Sequence, residues 1–134
     1  MIRPNRLTIL TLLLSMMTAT ANAVPAPGDP VAGAAAFRKC ASCHQVGPSA
    51  RAVFGPDLNG VVGRRAGTSA GYAYSPALKQ SGIVWNDATL ARFLRDPDDM
   101  VPGTKMRFWG IGDERQIANL LAYLRQYPSL PPPR

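Results

Sequence analysis

The stretch Cys40-Ala41-Ser42-Cys43-His44 decides the fold, because it fixes what the rest of the chain has to enclose. Two thiols three positions apart can each add across a vinyl group of a haem. The imidazole that follows the second thiol can then bind the iron. This C-x-x-C-H spacing is the c-type haem attachment motif. The chain has two cysteines and one histidine, all within this motif, so the sequence predicts one covalently bound haem c.

Other uses of a C-x-x-C pair are a redox-active thiol pair and a zinc site. Zinc takes about four protein ligands in a structural site, and the chain offers no second Cys/His pair. Haem attachment is therefore the interpretation that accounts for all three residues, and a chance match or a structural thiol pair is the alternative.

The first 23 residues are typical of a secretory signal peptide. Arg3 and Arg6 give a positive start, Leu7 to Met17 is apolar, and Ala21-Asn22-Ala23 has small residues where a signal peptidase cuts. Cleavage after Ala23 would leave a single domain, residues 24–134, in the periplasm without stable membrane insertion. An uncleaved anchor is the alternative, although the apolar run is shorter than the roughly 20 residues that a spanning helix needs.

The chain is basic, with 15 Lys and Arg residues against 8 Asp and Glu. Loss of Arg3 and Arg6 with the leader lowers the formal charge from +7 to +5. Such a charge suits brief docking to the acidic surface of a redox protein, and it suits a merely basic surface equally well. Runs of basic residues are no longer than two, and no nucleic-acid motif is present, so nucleic acid is not an expected partner.

Apolar spacing and capping residues predict four helices. Asp29 is placed to cap a first helix that begins at Pro30, and Gly33 within it predicts a close approach to the last helix. The predicted helices are 30 to about 39, 75–79, 87–95 and about 113–127.

The remaining segments predict loops. The stretch after His44 is dense in Gly and Pro and predicts turns, with no sheet, wrapped on a rigid cofactor. A second loop is expected over 98–106. The ordered core is predicted to span about 28–127, and the Pro-rich tail 128–134 to be extended.

A haem bound by one histidine has an open axial position, and Met100 and Met106 are the candidates for it. Methionine is usually core filler. Met106 is favoured because it ends a Pro-Gly turn that could present its sulfur to iron, whereas Met100 precedes that turn.

These features, taken with others in the same order, resemble class I cytochrome c, in the branch of mitochondrial cytochrome c and its bacterial electron-carrier relatives. The resemblance extends over about 28–127. The segments that carry it are Lys39-Cys40-Ala41-Ser42-Cys43-His44, Gly55-Pro56-Asp57-Leu58, Gly63-Arg64, Tyr74, Gly82-Ile83-Val84-Trp85, Val101-Pro102-Gly103-Thr104-Lys105-Met106 and Ala122-Tyr123-Leu124.

The resemblance implies an all-α class I cytochrome c fold, in which the N- and C-terminal helices cross and short helices and loops enclose the haem. It implies His44 and Met106 as axial ligands, with Cys40 and Cys43 as thioether anchors. It also implies five further cofactor-binding residues. The Pro56 carbonyl accepts a hydrogen bond from the His44 ring, and Tyr74 and Trp85 donate hydrogen bonds to a haem propionate. Arg64 and Thr104 offset the charge of that propionate.

The function expected from the resemblance is that of a soluble, monomeric one-electron carrier that is not an enzyme. A haem peroxidase and a fixed relay subunit of a larger oxidase or dehydrogenase are the alternatives. The chain departs from mitochondrial relatives in three ways. Around the haem, Phe93 replaces a tyrosine and Leu78 replaces an asparagine. On the docking surface, Asp98 and Asp99 replace two lysines, which bears on the choice of partner. Lys39, Lys105 and Arg107 keep positive charge near the expected haem edge.

Overall fold

The computed structural model describes residues 26–129, and within them the chain forms five α-helices joined by long loops. The predicted signal peptide and the end of the Pro-rich tail lie outside the described residues. The helices are α1 (Pro30–Phe37), α2 (Pro76–Gln80), α3 (Asp87–Arg95), α4 (Pro97–Met100) and α5 (Glu114–Leu124).

Each helix begins at a capping side chain that the sequence supplies. Asp29 accepts from the backbone N–H of Val31 before α1, and Asp113 accepts from two backbone N–H groups before α5. At α3 the Asn86 side chain and Thr89 form a reciprocal capping box. Because caps satisfy backbone donors that the first turn leaves free, these helices start close to their predicted positions.

The prediction of a loop over 98–106 is wrong at its beginning, because α4 occupies Pro97–Met100. Pro97 ends α3, as expected, but it also stands at the first position of a new helix, where a proline costs no hydrogen bond. The Asp96 side chain caps that helix by accepting from the N–H of Asp99 at 3.0 Å. The same proline thus both ends α3 and begins α4.

α1 and α5 also end earlier than predicted, at Phe37 and Leu124, and each continues into hydrogen-bonded turns. Tyr127 N–H donates to the Leu124 carbonyl at 3.1 Å, so the chain still curls beyond the helix proper. The prediction that the Gly-rich stretch contains no sheet is confirmed, and its one extended pairing is an isolated bridge between Arg65 and Val84.

α1 and α5 cross in close contact, as the position of Gly33 predicts. A Cβ at Gly33 would overlap the Asn119 carbonyl group and come within 2.7 Å of Tyr123 Cβ. The Asn119 side chain also accepts from the backbone N–H of Asp29 at 2.8 Å. The crossing therefore needs glycine, because the backbones of the two helices are too close for any side chain.

The buried apolar residues form one cluster to which α1, α3 and α5 all contribute. Two exposed ion pairs, Arg95 with Glu114 and Arg125 with Asp87, connect α3 to the two ends of α5. Within residues 26–129 no helix has the length and hydropathy needed to span a bilayer.

Candidate functional site

A cavity of about 450 Å³ opens among the buried residues, with a lining that is mostly apolar. The structure brings together in its wall the nine residues that were predicted to bind the cofactor. They are Cys40, Cys43, His44, Pro56, Arg64, Tyr74, Trp85, Thr104 and Met106.

The haem-attachment motif follows α1 on a continued turn. Cys40 N–H donates to the Phe37 carbonyl at 2.7 Å, and His44 N–H donates to the Cys40 carbonyl at 2.8 Å. This helical curl turns Cys40, Cys43 and His44 toward one cavity. Neither cysteine is in a disulfide. Burial raises the pKa of the Cys40 thiol, and the positive charge of Lys39 acts in the opposite direction.

The His44 ring is held by one hydrogen bond. Its Nδ1 lies 2.8 Å from the Pro56 carbonyl oxygen. Because a carbonyl only accepts, Nδ1 must donate, which leaves the lone pair of the neutral ring on Nε2. Burial lowers the pKa of His44, and the bond to Pro56 acts in the opposite direction. The ring is thus oriented as a metal-binding imidazole usually is.

Gly55 makes room for this ring. A Cβ at residue 55 would stand 2.5 Å from His44 Cε1 and 2.8 Å from Nδ1. The Gly55 N–H donates to the Cys43 carbonyl at 2.8 Å, so the backbone cannot move away without losing a bond. Gly55 was not among the predicted site residues, since only the folded chain shows what lies against it.

The loop that carries Met106 turns at Pro102 and Gly103. Thr104 N–H donates to the Val101 carbonyl at 2.9 Å, and Gly103 has a φ of +88°, as a glycine at the third position of a type II turn requires. The buried Thr104 hydroxyl then accepts from the N–H of Met106 at 3.3 Å.

The structure separates the two methionine candidates. Met106 lines the central cavity. Met100, at the end of α4, lines a different and more open depression with Ala77, Arg92 and Pro102. Of the two thioethers, the Met106 side chain alone borders the cavity that contains His44.

Arg64 is fixed at the cavity wall by backbone carbonyls. Its guanidinium donates to Asn59 O and Asp57 O, each at 3.0 Å. Because neither partner is charged, the positive charge of Arg64 remains available to an anion in the cavity.

The two aromatic residues predicted to bind a propionate are buried in the same wall. Trp85 packs on Phe93, with ring centroids 5.1 Å apart. Burial raises the pKa of Tyr74, so its hydroxyl stays protonated and can donate a hydrogen bond. Phe93 and Leu78, which depart from mitochondrial relatives, both line the cavity and add apolar surface.

Asn59 is a buried residue that the sequence did not single out. Its side chain accepts from Gly47 N–H at 2.8 Å and donates to Gly47 O at 2.9 Å. Its own carbonyl accepts from Arg64. Asn59 thus ties the loop after His44 to the arginine of the cavity wall. Asn59 and Gly47 are 12 positions apart and follow no periodic pattern. The sequence therefore offered little to predict their pairing beyond an asparagine within a Gly-rich stretch.

The donor set fits a covalently attached haem. Two cysteines, an imidazole whose Nε2 carries the lone pair and a thioether border one largely apolar cavity, and Arg64 and Tyr74 also line its wall. Among residues 26–129 there is no group of three or more His, Cys, Asp or Glu side chains arranged to hold a metal ion.

Comparison with known proteins identifies the family. The family model for cytochrome c matches residues 30–128. Cytochrome c-550 of Nitrobacter winogradskyi is 50% identical over 100 residues, which cover 75% of this chain and 92% of that protein. Cytochrome c2 of Rhodoblastus acidophilus is 49% identical over 100 residues, covering 75% of this chain and 94% of that protein.

Solved structures agree with these relatives. Cytochrome cH from Methylobacterium extorquens is 46% identical, with a TM-score of 0.70 over 74% of this chain and 99% of that one. Cytochrome c2 from Rhodospirillum centenum is 34% identical, with a TM-score of 0.71 over 76% of this chain and all of that one. The predicted all-α class I fold is therefore confirmed. The chain belongs to the class I cytochrome c family, the electron carriers that hold one covalently bound haem c.

Proposed function

We propose that this chain carries single electrons through a haem c, which Cys40 and Cys43 would hold covalently and whose iron His44 and Met106 would ligate. When bound, that haem supplies one-electron oxidation and reduction at iron. A thioether ligand favours the reduced metal. Held between these two side chains, the iron would have no open position for oxygen or a substrate, as suits a carrier that is not an enzyme.

One observation carries this proposal: Met106 and His44 border the same cavity, whereas Met100 lies in a different depression. The residues around them have separate tasks. Pro56 orients the imidazole, and Thr104 shapes the turn before Met106. Arg64, Tyr74 and Trp85 supply a positive charge and hydrogen-bond donors for the propionates.

A pair of methionine substitutions tests the ligand assignment. Met106→Ala is expected to lower the reduction potential, to abolish the long-wavelength absorption band of sulfur-ligated ferric iron, and to let the iron bind cyanide or carbon monoxide. Met100→Ala is the matched control and should leave potential and spectrum as in the wild type, because its side chain does not reach the cavity.

An unchanged potential in Met106→Ala, or a large shift in Met100→Ala, would contradict the assignment. Rapid binding of external ligands by the wild-type protein would instead support the peroxidase alternative, since an iron closed on both sides cannot bind them. Purification only as part of a larger complex would support the alternative of a fixed relay subunit.

The proposal extends to location and domain bounds. Residues 1–23 act as a leader that is removed after Ala23, and residues 24–134 form a soluble monomer in the periplasm. Its redox partners are proteins with acidic docking surfaces, matched to the formal charge of +5 that remains. Intact mass of the purified protein tests this, and a mass that includes residues 1–23 would contradict it.

A further inference from the structure

Two large aromatic side chains are exposed on loops that also contribute residues to the cavity wall. The exposed fraction is 83% for Phe54 and 104% for Trp109. Phe54 lines the cavity, and Trp109 directly follows two residues that line it, Arg107 and Phe108. Phe and Trp are the side chains that gain most from leaving water, and an exposed apolar patch often marks a binding surface.

The backbone at Phe54 is fixed although its side chain is free. The Tyr72 hydroxyl donates to the Phe54 carbonyl at 3.2 Å. On either side, Val53 N–H donates to Gly55 O and Gly55 N–H donates to Cys43 O, at 2.9 and 2.8 Å. The aromatic ring is therefore presented from a braced loop, next to the attachment motif.

The backbone at Trp109 is fixed in a similar way. Gly110, with a φ of +89°, fits directly against the Arg95 carbonyl, where no side chain could be placed. Ile111 N–H donates to Leu94 O at 2.8 Å, and the Ile111 side chain is buried. The loop is thus anchored on the end of α3 while Trp109 points to solvent. Rigid anchors lose little entropy on binding, which raises their value at an interface.

Three basic side chains line the same cavity, Lys39, Lys105 and Arg107, and two of them have neutral partners. Lys39 donates to the Gln116 amide at 3.4 Å, and Lys105 donates to the Ala73 carbonyl at 2.6 Å. Arg107 lies 3.8 Å from Asp98 in an exposed pair. Because their charges are not neutralised by acids close by, these lysines can attract an acidic surface.

We propose that Phe54 and Trp109, here called the aromatic pair, are the apolar anchors by which this chain docks to a redox protein. This rests on the proposed function as an electron carrier. The partner has an apolar patch that receives the two rings and an acidic rim that faces Lys39, Lys105 and Arg107. The basic residues speed encounter, and the aromatic pair holds the complex with the cavity turned toward the partner.

An anionic membrane is the other surface that aromatic and basic residues could bind. The position of the pair favours a protein, because Phe54 borders the cavity that contains His44 and Met106. Burying that edge in lipid headgroups would put no electron acceptor against it. A protein partner brings its own redox centre to the same place.

The test compares two oxidants of the reduced, haem-loaded chain. The first is a purified bacterial haem–copper oxidase that accepts electrons from c-type cytochromes, and the second is hexacyanoferrate(III), which has no apolar surface. Phe54→Ala and Trp109→Ala should each raise KM for the oxidase roughly ten-fold. The change of KM with salt concentration should have the same slope as in the wild type, because neither substitution removes a charge. Lys105→Gln should instead flatten that dependence.

Val31→Ala is the matched control, since Val31 is 78% exposed on α1 and does not line the cavity. It should leave KM unchanged. A wild-type KM in both aromatic variants would overturn the docking proposal while the carrier function stands. Equal slowing with hexacyanoferrate would overturn it too, because the residues would then support the haem site itself.

Three further outcomes are decisive. Failure of the oxidase to oxidise a wild-type chain that hexacyanoferrate oxidises would overturn the docking proposal alone. Failure of both oxidants would overturn the carrier function. Weaker binding of the aromatic variants to phosphatidylglycerol vesicles, with oxidase KM unchanged, would show that the pair serves a membrane.

Discussion

At the scale of single residues, Gly55 is important because any side chain at this position would clash with the His44 ring. Its missing side chain lets the His44 ring lie against the backbone and reach the Pro56 carbonyl. Positive φ is not the reason, because Gly55 is absent from the glycines with left-handed backbone. The requirement is purely one of space.

Gly55→Ala is therefore expected to lower the free energy of unfolding by about 1–3 kcal/mol, the usual cost of an overpacked methyl group. The ring must tilt or the Gly55–Cys43 bond must lengthen, so the reduction potential should shift as well. Denaturant titration and potentiometry would measure the two effects.

Gly112→Ala provides the control for Gly55→Ala. Nothing lies within 4 Å of a Cβ at residue 112, and its φ is not in the left-handed region. Alanine there should be neutral or slightly stabilising, because it restricts the unfolded chain. Equal stabilities for the two variants would contradict the role given to Gly55.

At the scale of secondary-structure elements, helix propensity and packing favour different residues where α1 crosses α5. Propensity favours alanine over glycine within a helix by about 1 kcal/mol. At Gly33 a Cβ would overlap the Asn119 carbonyl and approach Tyr123. Because backbone cannot yield as a side-chain tip can, packing should outweigh propensity.

Gly33→Ala is thus expected to destabilise the protein by about 1–3 kcal/mol net, despite the better helix former. Ala35→Gly, at an exposed position of the same helix, should cost about 1 kcal/mol from propensity alone. Equilibrium unfolding of both variants measures the contrast. A more stable Gly33→Ala variant would show that the helices can separate without loss.

At the scale of the whole molecule, the haem site occupies the place where a larger protein would have more core. A cavity of about 450 Å³ lies within one cluster of 16 buried apolar residues. Apolar walls around such a volume lack the packing contacts of a filled core unless a group occupies it. Domains are typically stable by only about 5–15 kcal/mol in total, so these contacts matter. The cofactor is therefore part of the fold.

The variant Cys40→Ala/Cys43→Ala, purified free of haem, should accordingly lose cooperative thermal unfolding and most amide protection against hydrogen exchange. Ser42→Ala, between the two cysteines, is the control and should keep both properties. A haem-free chain that unfolds as sharply as the wild type would contradict a structural role for the cofactor.

Local patterns predicted four of the five helices, because caps, prolines and apolar spacing act over a few residues. α4 was missed because Pro97 was taken only as the end of α3. At the site, the motif and the resemblance named residues that the structure gathers around one cavity. Gly55, Asn59 and the exposed Phe54 and Trp109 were not predicted, since their roles depend on neighbours that only the folded chain brings near.

The contact between the first and last helices has a consequence for biosynthesis. Asp29 and Asn119 pair across 90 positions, and a polypeptide leaves the ribosome N-terminus first. The partner of α1 is thus made about 90 residues after it, so α1 cannot complete this contact until that later segment has emerged. The attachment motif lies between these two helices, so its thiols emerge before that contact can close.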